Sequence, residues 1–117
     1  MEGNLDSYGL PIIMLEVAGR QWKATIDTGF NGDLELPHDL FNRLRPRFVA
    51  SGHSFLAGNQ MIEEDVYEVT FPFDGELIGA LATFVSGGGI LIGTHLLRKH
   101  SLYIDFPTDR VEIERSI

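Results

Sequence analysis

Asp27 is the side chain whose setting in this 117-residue chain most needs a chemical explanation. It ends the run Gln21–Asp27, in which Trp22, Ala24 and Ile26 alternate with Gln21, Lys23 and Thr25. Alternation of this kind buries one face of a strand, so a carboxylate at its end is costly unless hydrogen-bonded. Thr28-Gly29 follows at once, and the glycine lets the backbone bend sharply. One account is structural: Asp27 caps the turn by accepting N–H groups from its neighbours, as Asx residues commonly do. The other is that the carboxylate is held there for chemistry. An Asp-[Ser/Thr]-Gly string arises by chance in roughly a few per cent of chains this long, so the tripeptide alone decides nothing.

Other reactive groups are readily set aside. Cysteine is absent, which excludes disulfides, thiolate catalysis and Cys-based zinc sites. The histidines His38, His53, His95 and His100 form no HExxH pair, and His95 and His100 do not share a helical face, so no metal site is expected. His100-Ser101 lacks the setting of a nucleophile elbow. Ser86-Gly87-Gly88-Gly89 lacks the Lys-Ser/Thr pair of a phosphate loop and reads as a flexible segment or the frame of a cleft. Trp22, Phe71 and Phe84 fall at alternating strand positions and read as core. No cofactor is implied.

The elements that must position Asp27 are short apolar runs between turn residues, the pattern of an all-β domain. Leu10–Val17 and Gln21–Asp27 form a hairpin through Ala18-Gly19-Arg20. A short strand Leu34-Glu35-Leu36 precedes a helical or 3₁₀ segment within Pro37–Leu44, which Pro46 ends. Phe48–Ser54 is extended, Ala57-Gly58-Asn59-Gln60 is a turn, and Val66–Phe73 joins Leu77–Val85 through Asp74-Gly75. Ile90-Leu91-Ile92-Gly93 is a short buried strand, and Thr94 is a suitable N-cap for a helix over Thr94–His100. Leu102–Phe106 and Val111–Glu114 close the chain as a hairpin. Eight or nine strands and one brief helix predict a closed or nearly closed barrel.

Two of these segments carry a linked pattern. Ala24-Thr25-Ile26-Asp27-Thr28-Gly29 upstream is matched downstream by Leu91-Ile92-Gly93 and then Thr94-His95-Leu96-Leu97. The pair resembles the retropepsin-like aspartic proteases, in which an apolar-apolar-Asp-Thr-Gly strand end precedes an apolar-apolar-Gly strand and a short helix with a Leu pair. The resemblance runs from about Leu10 to Phe106. It is nearest to the small bacterial single-domain branch, whose signature is similar to Asp27-Thr28-Gly29-Phe30-Asn31-Gly32 followed by Leu36-Pro37.

The resemblance implies a retropepsin-like closed β-barrel with a flap hairpin and one short C-terminal helix. It implies two carboxylates sharing one proton, one a base toward water and the other an acid toward the carbonyl oxygen. Asp33-Leu34, Asp65-Val66, Asp74-Gly75 and Asp105-Phe106 do not repeat the motif, so the second carboxylate must come from Asp27 of a second copy in a two-fold homodimer. Such a dyad titrates as a coupled pair. Thr28 would brace the two loops across the symmetry axis, and Gly29 would let the substrate backbone come close. By its position the flap spans about residues 53–62, with Ala57, Gly58 and Asn59 at its tip and in the substrate cleft. Glu63-Glu64-Asp65 beside it reads as a solvated strand edge. Phe30 replaces the small residue of retroviral members and either narrows the cleft or walls a subsite. The closing hairpin lies beyond the retroviral pattern, which removes the usual ground for a dimer built on terminal strands.

The remaining expectations follow from composition. Apolar residues at 44% and charged residues at 22% are ordinary for a globular chain and exclude disorder throughout. A net charge of −8 repels phosphate backbones and anionic lipids, so neither nucleic acid nor membrane is expected as a partner. Residues 1–9 are polar and acidic and read as a flexible tail without a secretory signal, with 10–117 as a single domain and the cytoplasm as the default location. The expected function is an aspartic endopeptidase acting on peptide or protein substrates. The alternative is a catalytically inactive module of the same fold that binds peptides or mediates assembly.

Overall fold

The computed structural model describes residues 1–56, 58 and 60–116. Local turn chemistry sets its hairpins. Strands β2 (Pro11–Val17) and β3 (Arg20–Ile26) pair in register from Ile12↔Thr25 to Val17↔Arg20. Ala18 and Gly19, at φ 53° and 77°, form the two-residue turn between them, the mirror-image type that matches strand twist. Following β4 (Leu34–Pro37) and a 3₁₀ turn at His38–Leu40, α1 (Phe41–Leu44) ends on Arg45 in the left-handed region just before Pro46. Strands β5 (Arg47–Leu56) and β6 (Gln60–Phe73) form the long central hairpin, and Asp74-Gly75 turns β6 into β7 (Glu76–Val85). The chain then runs through β8 (Ile90–Ile92), β9 (His100–Asp105) and β10 (Arg110–Arg115). Within residues 1–9, Glu2–Leu5 forms β1, which lies between β2 and β10.

All ten strands belong to one mixed sheet in the order β5-β6-β7-β4-β8-β3-β2-β1-β10-β9. Among the described residues, only β3–β8 and β4–β7 are parallel. The expected closed barrel is therefore not what forms: β5 and β9 are free edges that do not pair with each other. The sheet instead curls so that β2 packs across onto β6, and the core fills the space between the facing surfaces. Ile13, Leu15 and Val17 meet Val69, Phe71 and Phe73 there, with Leu36, Ile92, Val111 and Ile113 fully covered. Each such side chain contributes about 1.5–3 kcal/mol on burial. Alternation in the sequence reports that one face is covered. It does not report whether the edges join, because face-to-face packing satisfies the same pattern. Phe71 is core as expected, whereas Trp22 and Phe84 pack only partly buried against its rim.

The expected C-terminal helix is also absent. Residues 94–99 form consecutive turns, with Leu97 N–H donating to Thr94 O, Arg98 N–H to His95 O and His100 N–H to Leu97 O. These contacts span three residues rather than the four of an α-helix. Seven residues are too few to nucleate a helix unaided, and the Thr94 hydroxyl donates to Phe30 O at 3.4 Å instead of capping the segment. The one α-helix among the described residues is α1, in mid-chain. No helix among the described residues is long and apolar enough to cross a membrane.

Candidate active site

Strand β8 is inserted between β3 and β4, parallel to the first (Thr25↔Leu91) and antiparallel to the second (Glu35↔Leu91). The chain leaving β3 must therefore arch over the end of β8 to reach β4, and residues 27–33 form this arch. Asp27 N–H donates to Ile92 O at 2.9 Å at one foot, and Gly93 N–H donates to Asp33 O at 3.0 Å at the other. Within the arch, Gly29 N–H donates to Asp27 Oδ1 at 2.9 Å and Phe30 N–H to Asp27 O at 3.1 Å. The side chain thus makes the Asx turn of the structural account. Its Oδ2 takes no hydrogen bond among the described residues. Asp27 is half-buried, while Thr28 and Gly29 are exposed at the crest.

The turns at 94–99 clamp this arch. Thr94 N–H donates to Phe30 O at 2.9 Å, and His95 N–H to Gly32 O at 3.2 Å. So the downstream motif supports the upstream one through backbone contacts. Gly93 makes that approach feasible, since a Cβ there would lie 2.1 Å from Gly32 O. The Phe30 ring lies over the same two glycines: a Cβ at Gly32 or Gly93 would come within 2.8 Å of it.

Asp33, set aside in the sequence because no Thr-Gly follows it, is the buried charged residue of the described chain, 7% exposed. Its Oδ1 lies 2.6 Å from His95 Nδ1, and its Oδ2 accepts Leu81 N–H at 2.9 Å. The sequence does hold a signal for it. Asp33 stands directly before the buried pair Leu34 and Leu36, and a carboxylate so placed needs partners of its own, as Asp27 does.

A pocket of about 200 Å³ opens beside the arch, walled mainly by Phe30, Leu34, Val66, Leu81 and Ala82. Carboxylates gather nearby on β4 and β6. Burial, and then the nearby carboxylates of Glu64 and Asp27, raise Glu35 above the ordinary glutamate pKa. Glu63 and Asp65 are exposed on β6, with Asp65 Oδ1 accepting Ser51 Oγ–H at 2.9 Å. The β5–β6 hairpin pairs through Ser54↔Ile62 and Leu56↔Gln60. Gly58 sits at its turn with φ 84°, and Ala57 and Asn59 lie outside the described residues. No group of three or more His, Asp or Glu among the described residues is arranged to hold a metal ion. The chain has one Asp-Thr-Gly, so it does not by itself contain a pair of such carboxylates.

No protein-family model matches the chain, and no curated protein matches it by sequence. Solved structures do match. A retropepsin-like aspartic protease from Rickettsia conorii superposes with a TM-score of 0.71 at 17% identity, over 97% of this chain and 88% of that one. The EIAV protease, complexed with the inhibitor HBY-793, gives 0.62 at 18% identity over 80% and 89%. The simian foamy virus protease gives 0.60 at 20% identity over 74% and 91%. At such identities the likeness concerns architecture, and the architecture of this chain is that of a retropepsin-like aspartic protease.

Proposed function

We propose that the protein is an aspartic-type endopeptidase whose active site forms when two copies each present Asp27 at a two-fold axis. The observation that carries this reading is the arch itself. One carboxylate at the foot of the loop is tied to its crest through Oδ1, with Oδ2 left open, on a fold shared with aspartic proteases.

In the dimer, the ionised carboxylate takes a proton from a water held between the pair. The water oxygen attacks the peptide carbonyl carbon while the protonated carboxyl donates to the carbonyl oxygen. The resulting gem-diol then returns its proton, the amide nitrogen is protonated, and the C–N bond breaks. Thr28 braces the two arches, and Gly29 leaves room for the substrate backbone. The apolar pocket beside Phe30 accepts a nonpolar side chain of the substrate. The β5–β6 hairpin, with Gly58 and its neighbours Ala57 and Asn59, covers the cleft as a lid.

The test is hydrolysis of a denatured-protein or peptide library across pH 3–7. Wild-type protein is expected to cleave, and Asp27→Asn to lower turnover by about 10³-fold or more. Peptide binding without turnover, unchanged by Asp27→Asn, would instead identify an inactive binding module.

A further inference from the structure

Asp33 plays no part in the proton transfers above, yet it is the buried charge of the described chain. A buried carboxylate is retained only when its oxygens are satisfied. Here each oxygen is satisfied by a different part of the fold. His95 Nδ1 comes from the 94–99 turns, and Leu81 N–H comes from β7. The Asp33 carbonyl takes a third contact, from Gly93 N–H. With Oδ1 as the acceptor, Nδ1 is the donor. The His95 backbone is engaged too: its N–H holds Gly32 O, and its carbonyl accepts Arg98 Nη1–H at 2.8 Å.

We propose that Asp33 and His95 are positioning residues that fix the height and tilt of the Asp27 arch. This inference rests on the proteolytic reading for its catalytic consequence, though its structural consequence stands independently. Asp27 and Asp33 are the two feet of one arch, and the Asp27 side chain restrains only the crest. If the Asp33 foot is free to shift, the crest shifts with it and turns the Asp27 carboxylate that Gly29 N–H holds, and a misplacement of about 1 Å costs on the order of 10²-fold in rate. Removing His95 leaves the buried Asp33 Oδ1 without this partner, which frees the foot and also costs stability.

The experiment compares wild type, His95→Ala and His95→Asn in the full chain. Asn places an amide N–H close to where Nδ1 stood. His95→Ala is expected to lower kcat by about tenfold or more with KM within about twofold, at a temperature where both proteins are fully folded. His95→Asn is expected to restore most of the loss. Unchanged kcat, a loss confined to KM, or failure of Asn to rescue would overturn the proposal. Amide hydrogen exchange supplies the readout that does not depend on activity. Gly29 and Phe30 should exchange faster in His95→Ala by at least about tenfold more than Ile13 and Val111, which report global opening. If wild type cleaves nothing, the proteolytic reading falls and exchange alone decides, with equal changes at the two pairs of amides overturning the positioning role.

Discussion

Gly93 and Gly32 meet so closely that a Cβ on Gly93 would stand 2.1 Å from the Gly32 carbonyl oxygen. Both belong to the clamp that holds the Asp27 arch against the end of β8. Gly93→Ala is therefore expected to cost about 3 kcal/mol or more in a urea unfolding curve, since backbone rather than a movable side chain is in the way. Gly89→Ala, where no atom lies within 4 Å and φ is not positive, is the control and should stay within about 0.5 kcal/mol. Equal costs at the two positions would mean that the close approach is not what holds the clamp.

Glu35 gives a pH dependence with a definite sign. Its folded-state pKa is raised by burial and by Glu64 and Asp27. The native chain therefore holds this proton to higher pH than the unfolded chain does. Between the ordinary value of 4.5 and the raised one, stability falls as pH rises. Glu35→Gln removes that penalty. It should be the more stable protein at pH 7 by roughly 0.5 kcal/mol or less, because the site is partly solvated, and should lose the advantage below about pH 4. Thermal unfolding of both proteins at the two pH values checks this, and an advantage that grows on acidification would contradict it.

Phe30 distinguishes a wall from an obstruction. Its ring lies on Gly32 and Gly93 and lines the apolar pocket. Phe30→Ala should raise KM for peptides with a large apolar side chain by roughly tenfold, the scale of losing part of an aromatic contact. Steady-state kinetics on matched peptides gives the answer. Higher kcat/KM in the variant would show that the aromatic ring narrows the cleft.

Features set by neighbouring residues are legible in the amino-acid sequence. The β2–β3 hairpin, the Asp74-Gly75 turn and the helical turns after Pro37 depend on φ preferences and local alternation, and they form as expected. Features set by distant residues are not. Thr94 has the residue type of a helix cap, but its distant use, a hydroxyl and an N–H both given to Phe30 O, cannot be seen along the chain. Whether β5 meets β9 depends on how far the sheet curls, which residue pattern does not encode. Asp27 stands out through its motif, whereas Asp33, the better-partnered carboxylate, has no motif to mark it.

Mixing wild-type protein with Asp27→Asn at constant total concentration tests the shared site most directly. If every active site needs one Asp27 from each of two freely exchanging copies, an equal mixture retains about a quarter of the wild-type peptide hydrolysis, since random pairing makes one dimer in four fully wild-type. Retention of half the activity, the proportional result, would show that each chain cleaves alone and would contradict the paired-carboxylate site.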